Sequence, residues 1–134
     1  MASLAESDHD VVRVITRPAS PQGRKRVLTP TPVADEAARR GLTVLEARRL
    51  GEIESELLPL DIDLGVIVAY GALVREPLLS WPRLGWINLH FSLLPRWRGA
   101  APVQHAVMAG DAETGATVFQ LSEGLDEGDW FARV

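Results

Sequence analysis

The sequence predicts an α/β fold with a mostly parallel sheet and flanking helices, and three observations carry that expectation. Short β-branched or apolar runs alternate with segments bearing helix start and stop signals. One run, Asp63 to Tyr70, is apolar on both faces, the pattern of a central parallel strand. Another, Gly85 to His90, ends on polar groups and then a loop, and ligands of such sheets bind outside the carboxyl ends of the strands.

In chain order, Ala2 to Ser7 reads as the tail of a helix, and Asp8 to Asp10 as a turn into the buried strand Val11 to Thr16. α/β folds normally open on a strand, so the start of the domain is expected to be missing. Arg17 to Pro30 holds three prolines, one glycine and four basic residues and reads as an exposed loop. Such length in a compact domain marks a functional or disordered segment. Thr31 is a fitting N-cap with Pro32 at the first helical position, and Gly41 closes a helix over Val33 to Arg40. Thr43 to Leu45 is a short strand, and Leu50 to Leu58 a helix stopped by Pro59. A loop and short helix, Leu73 to Ser80, lead to the strand Gly85 to His90. Ala101 to Ala109 is helical up to Gly110, Thr114 to Leu121 is a strand, and the acidic turn Glu123 to Asp129 precedes a last strand from Trp130 to Val134.

The 134 residues, 46% hydrophobic and 24% charged, suit one globular domain. There is no cysteine, which excludes disulfides and thiolate chemistry and fits a reducing compartment, with cytoplasm as the expected location. No segment reads as a leader, and the longest apolar run, Leu64 to Val74, is shorter than a membrane span. The net charge of −4 argues against indiscriminate nucleic-acid coating. The charge is uneven, however: nine basic residues face three acidic ones between Val11 and Arg49, and six acidic residues face one arginine from Asp111 to Val134.

The chemistry concentrates in Asn88-Leu89-His90-Phe91-Ser92-Leu93-Leu94-Pro95-Arg96-Trp97-Arg98-Gly99. Asn88 and His90 are two apart, so on a strand their side chains share a face. An amide that donates to an oxygen and an imidazole that moves a proton are two parts of an acyl-transfer site, and Asp126, between Gly124 and Gly128, could supply the orienting carboxylate. Spacing alone leaves a second reading open, in which His90 is simply held by neighbouring backbone. His9, His90 and His105 show no metal-ligand spacing, and neither a dinucleotide fingerprint nor a phosphate loop occurs. Trp81, Trp86, Trp97 and Trp130 read as core or rim residues. Arg24, Lys25 and Arg26 form a basic cluster able to meet a phosphate backbone, or else a solvated turn.

The stretch from Asn88 to Pro102, followed by Gly115-Ala116-Thr117 and Glu123-Gly124-Leu125-Asp126-Glu127-Gly128, resembles the formyltransferase family that uses 10-formyltetrahydrofolate. Within it, the segment from Arg17-Pro18 through Gly23-Arg24 to Val33 resembles the branch that acts on initiator methionyl-tRNA. The resemblance implies a Rossmann-like sheet. It places Asn88, His90 and Asp126 at catalytic positions. Ser92, Leu93, Leu94 and Pro95 fall on the folate-binding segment, with Tyr70, Gly71, Ala72 and Leu73 lining the pterin pocket. Arg24, and with it Lys25 and Arg26, falls on the loop used against the tRNA acceptor stem. It implies no metal, no membrane, and a monomeric full-length form. Phe91 departs from a usual small residue or proline, and Lys25 from a common glycine. Full family members add a first strand and glycine turn upstream, further sheet downstream and a C-terminal β-barrel. Residues 1–134 are therefore expected to be a partial catalytic domain. Related small-molecule formyltransferases, a 10-formyltetrahydrofolate hydrolase and a noncatalytic tRNA-binding fragment are the alternatives.

Overall fold

The computed structural model describes residues 1–134 as two compact units, Met1–Leu57 and Leu58–Val134. No helix is long and apolar enough to cross a membrane.

The first unit begins with α1 (Ala2–Ala5) and the strand β1 (Val14–Thr16). A hairpin of β2 (Ser20–Gln22) and β3 (Val27–Thr29) follows, then α2 (Pro32–Arg39) and β4 (Val44–Glu46), which pairs parallel with β1. The 3₁₀ turn Leu50–Ile53 runs into α3 (Glu54–Leu57). α2 forms where its ends are chemically marked. Thr31 Oγ1 accepts from the Ala34 amide at 3.1 Å and shares a 2.7 Å hydrogen bond with Thr16 Oγ1, tying the cap to the end of β1. At the other end Gly41 takes φ +68°, and the Leu42 and Gly41 amides return to the carbonyls of Ala37 and Ala38. That is the Schellman closure a left-handed glycine permits. α2 buries Ala34 and Ala37, and β1, Ala47, Leu50, Ile53 and Leu57 complete this core.

Two expectations change in this unit. The segment from Arg17 to Pro30 is exposed, as read, but is an ordered hairpin, with Ser20 opposite Thr29 and Gln22 opposite Val27. Prolines suggested a loop, yet a two-stranded ribbon is all edge, where a missing N–H costs least. The helix expected over Leu50 to Leu58 is split, its first turn tightened to 3₁₀, a common helix-terminal form.

The second unit is a four-stranded sheet in the order β5 (Gly65–Val68), β6 (Trp86–His90), β7 (Thr117–Gln120), β8 (Trp130–Arg133), with α4 (Pro102–Ala109) between β6 and β7. β5 and β6 are parallel; β6 with β7 and β7 with β8 are antiparallel. The parallel share is thus smaller than the alternation of strands and helices suggests. The turn between β7 and β8 is short enough to reverse the chain directly, which parallel pairing forbids. Asp63 to Tyr70, read as a central strand, gives β5 at the edge of this sheet, with Val66 40% and Val68 49% exposed. An apolar pattern does not distinguish one ladder partner from two. No helix forms over Leu73 to Ser80. Pro77 removes a donor and Pro82 follows closely, so only isolated turns remain, such as the Leu79 amide on the Arg75 carbonyl at 3.0 Å. The core gathers Leu78, Trp86, Leu94, Ala106 and Phe119, and the Trp86 indole donates to the Leu78 carbonyl at 2.8 Å.

Candidate active site

β6 aims its site residues by the period of two: Trp86, Asn88 and His90 point to one face, Ile87 and Leu89 to the other. Asn88 lies between Ile67 of β5 and the fully buried Phe119 of β7 in the ladders, and His90 lies opposite Thr117. The His90 ring meets Phe119 edge-on, centroids 6.5 Å apart, and is 7% exposed. Asn88 is half-buried, and no side-chain hydrogen bond occupies its amide. Its donor is available to an incoming oxygen.

Beyond His90 the chain forms a loop whose carbonyls and amides are held from β7 and β8. Thr117, fully buried, donates to the Ser92 carbonyl at 2.7 Å and accepts from the Leu94 amide at 3.2 Å. Ser92 Oγ donates to the Arg96 carbonyl at 2.6 Å, and Arg133 Nη1 to the Leu94 carbonyl at 2.8 Å. Of the segment expected to meet folate, Ser92 and Leu94 therefore turn inward and shape the loop, Leu93 is half-buried and Pro95 is exposed. Tyr70, Gly71, Ala72 and Leu73 follow β5 and so leave the sheet at the same end as His90; Gly71 has φ +72° and Leu73 is 68% exposed.

The loop brings the Trp97 carbonyl to 2.8 Å from His90 Nε2. A carbonyl only accepts, so Nε2 carries the hydrogen, and Nδ1 is the nitrogen left to exchange a proton. Nδ1 faces Asp126 Oδ2 at 3.6 Å, too long for a hydrogen bond and close enough for charge compensation. Asp126 has φ +49°, and its Oδ2 accepts from the Gly99 amide at 2.7 Å. Arg98 to Glu127, at 3.0 Å, ties the same two segments at the rim. A side chain at Gly128 would strike the Gln120 carbonyl, which is why the turn carrying Asp126 can press against the end of β7.

His90 and Asp126 are thus brought together, with Asn88 on the same face of the same strand. Arg24, Lys25 and Arg26 belong to the first unit, in the turn of the β2–β3 hairpin, where the Arg26 amide closes on the Gly23 carbonyl at 3.1 Å. Positive φ falls on Gly23 (66°) and Arg26 (50°), not on Lys25, so the turn does not need a glycine there. Sequence reasoning missed the Trp97 carbonyl and Gly99 amide, because backbone groups leave no residue-type signal. It also gave Thr117 no role of its own.

A family model described as formyl transferase matches residues 1–134. The methionyl-tRNA formyltransferase of Clavibacter sepedonicus is 60% identical over 130 residues, covering 96% of this chain and 43% of that protein. That of Leifsonia xyli subsp. xyli is 63% identical over 126 residues, covering 93% and 42%. The chain spans less than half the length of these relatives. Among solved structures, the phosphoribosylglycinamide formyltransferase of Streptococcus pneumoniae TIGR4 aligns with a TM-score of 0.75 and 25% identity, over 98% of this chain and 72% of that one. The Rossmann-like α/β class stands with it. Matched along its whole length, the chain belongs to the formyl transferase family.

Proposed function

We propose that the protein transfers a formyl group from N10 of 10-formyltetrahydrofolate to the α-amino nitrogen of methionine esterified to initiator tRNA. The observation that carries this reading is His90 set between the Trp97 carbonyl and the Asp126 carboxylate, with the unengaged Asn88 amide two residues back on the same strand face. The relatives named methionyl-tRNA formyltransferase support the choice of acceptor.

The attacking amine must be neutral, and an α-amino group with a pKa of about 8 already supplies a usable neutral fraction near pH 7. Its lone pair forms the new N–C bond while the formyl C=O electrons move to oxygen. The Asn88 amide donates to that oxyanion. His90 Nδ1 takes the proton that the attacking amine gives up and, as the C–N10 bond breaks on collapse, delivers it to N10. Asp126 orients the imidazole and compensates its charge while it holds both protons. Tyr70 to Leu73 and Ser92 to Pro95 would bound the folate, the latter through Leu93, Pro95 and backbone. Arg24, Lys25 and Arg26, on an exposed hairpin turn, would meet tRNA phosphates. The full-length protein is read as a cytoplasmic monomer that requires no metal.

The test is turnover of 10-formyltetrahydrofolate by the full-length protein with charged initiator tRNA, with glycinamide ribonucleotide, and with no acceptor. Formylmethionyl-tRNA as the dominant product is expected. Faster formylation of the small molecule, or release of formate without acceptor, would overturn the assignment; tRNA binding with no turnover would leave an RNA-binding role instead.

A further inference from the structure

The contact that sets the His90 proton comes from Trp97, and Trp97 is held from outside the motif. Its backbone has φ +58°, a region costly for a bulky residue, so the surroundings must enforce it. They do so through one carboxylate. Asp111, in the turn after α4, accepts the Trp97 indole N–H at 2.7 Å and Arg96 Nε at 2.8 Å on Oδ2, and Arg96 Nη2 at 2.5 Å on Oδ1. The Arg96 guanidinium lies 4.5 Å from the Trp97 ring centroid, and His105 of α4 stacks on that ring at 5.6 Å and 13°. The Asp111 amide itself donates to the Ala106 carbonyl at 3.0 Å, anchoring the carboxylate to the end of the helix. The hydrogen bonds from Arg96 and then Trp97 hold its carboxyl down at about 2, so it is ionised throughout the working range.

We infer that Asp111 is a positioning residue: by fixing the Trp97 indole and the Arg96 guanidinium together, it sets the Trp97 carbonyl that holds the hydrogen on His90 Nε2. It touches no reacting atom. Its effect reaches the site through the one carbonyl that decides which imidazole nitrogen exchanges protons. A bidentate arginine pair with an indole N–H on the same carboxylate has the directional rigidity for this, which a solvated turn aspartate lacks. The activity arm of the test rests on the formyl-transfer reading, and the spectroscopic arm does not.

The experiment uses full-length protein with ¹⁵N-labelled histidine, comparing wild type, Asp111→Asn and Trp97→Phe. The His90 ¹⁵N shifts of wild type should report hydrogen on Nε2. In Asp111→Asn the signal should move to a mixture of the two tautomers, and kcat should fall roughly 10- to 10²-fold, with KM for 10-formyltetrahydrofolate changed much less. Trp97→Phe, which keeps an aromatic ring but removes the indole N–H and leaves Asp111 on Arg96, should shift the signal in the same direction by a smaller amount. If Asp111→Asn does not fold, Trp97→Phe decides. An unchanged His90 tautomer in a folded variant overturns the inference, even if activity falls. A shifted tautomer in a protein whose wild type transfers no formyl group sustains the positioning role and removes the formyl-transfer reading.

Discussion

Replacing Thr117 with valine removes one hydroxyl from a side chain of nearly the same shape, and the structure says what that hydroxyl does. Fully buried, it donates to the Ser92 carbonyl at 2.7 Å and accepts from the Leu94 amide at 3.2 Å. No other protein group reaches either of these two backbone atoms. Valine leaves one buried acceptor and one buried donor unpaired, at about 1–3 kcal/mol each, so the expected loss is about 2–6 kcal/mol. That is a large part of the roughly 5–15 kcal/mol that holds a domain together. With a urea slope of about 2 kcal/mol per molar, the unfolding midpoint should fall by roughly 1–3 M. Thr117→Ser keeps the hydroxyl and gives up a methyl group, so it should lose about 1 kcal/mol. Urea titration of the full-length protein and both variants, followed by tryptophan fluorescence, reads the difference, because Trp86 and Trp97 flank the affected loop in sequence. A Thr117→Val midpoint equal to wild type would refute the reasoning and free the Ser92 to Leu94 backbone from any need of β7.

Other perturbations test separate parts of the account. Replacing Arg24 and Lys25 together with alanine should raise KM for the tRNA and flatten its dependence on salt, with folate binding unchanged; an unaltered salt slope would count against the hairpin as a phosphate contact. Thr31→Ala removes the side-chain acceptor on the Ala34 amide and should cost about 1 kcal/mol of unfolding free energy, whereas Thr31→Ser should be near neutral. The Asp111 carboxyl is depressed from its ordinary value of 3.8 to about 2 by Arg96 and Trp97, so folding is favoured by its ionised form. Its contribution is complete above about pH 4 and fades as pH falls toward 2. The stability gap between wild type and Asp111→Asn should therefore be flat from pH 7 to about 4 and close below it, as read by urea titration across that range.

The parts of this fold legible in the sequence are those written locally. Thr31, Pro32 and Gly41 announce α2 because each satisfies a helix-end requirement within a few residues. Asn88 and His90 share a face because strand side chains alternate, whatever surrounds them. What escaped depends on partners distant in sequence. Pro18, Pro21 and Gly23 disguise a hairpin, since its pairing is decided across the ribbon rather than along it. The apolar run ending at Val68 says nothing of how many strands flank it. Within the site, Asp126 between its two glycines is a candidate partner for His90, but spacing leaves that pairing open, because the turn carrying it lies far along the chain; the family resemblance is what places it at a catalytic position. The Trp97 carbonyl and the Gly99 amide were beyond sequence reasoning, being backbone atoms aimed by φ of +58° and +85°. Asp111 was hidden in plain composition, one acid in an acidic stretch, until two partners converged on its carboxylate.

The central claim is that Asn88 holds the developing oxyanion while His90 carries the proton. The most direct measurement is single-turnover formylation of charged initiator tRNA by full-length Asn88→Ala protein, with donor and acceptor saturating. The half-buried amide is bound to no protein group, so its removal should leave the fold and both binding steps nearly intact. The chemical step should slow by about 10²- to 10³-fold, the cost of one oxyanion donor. A rate within a few-fold of wild type would contradict the account.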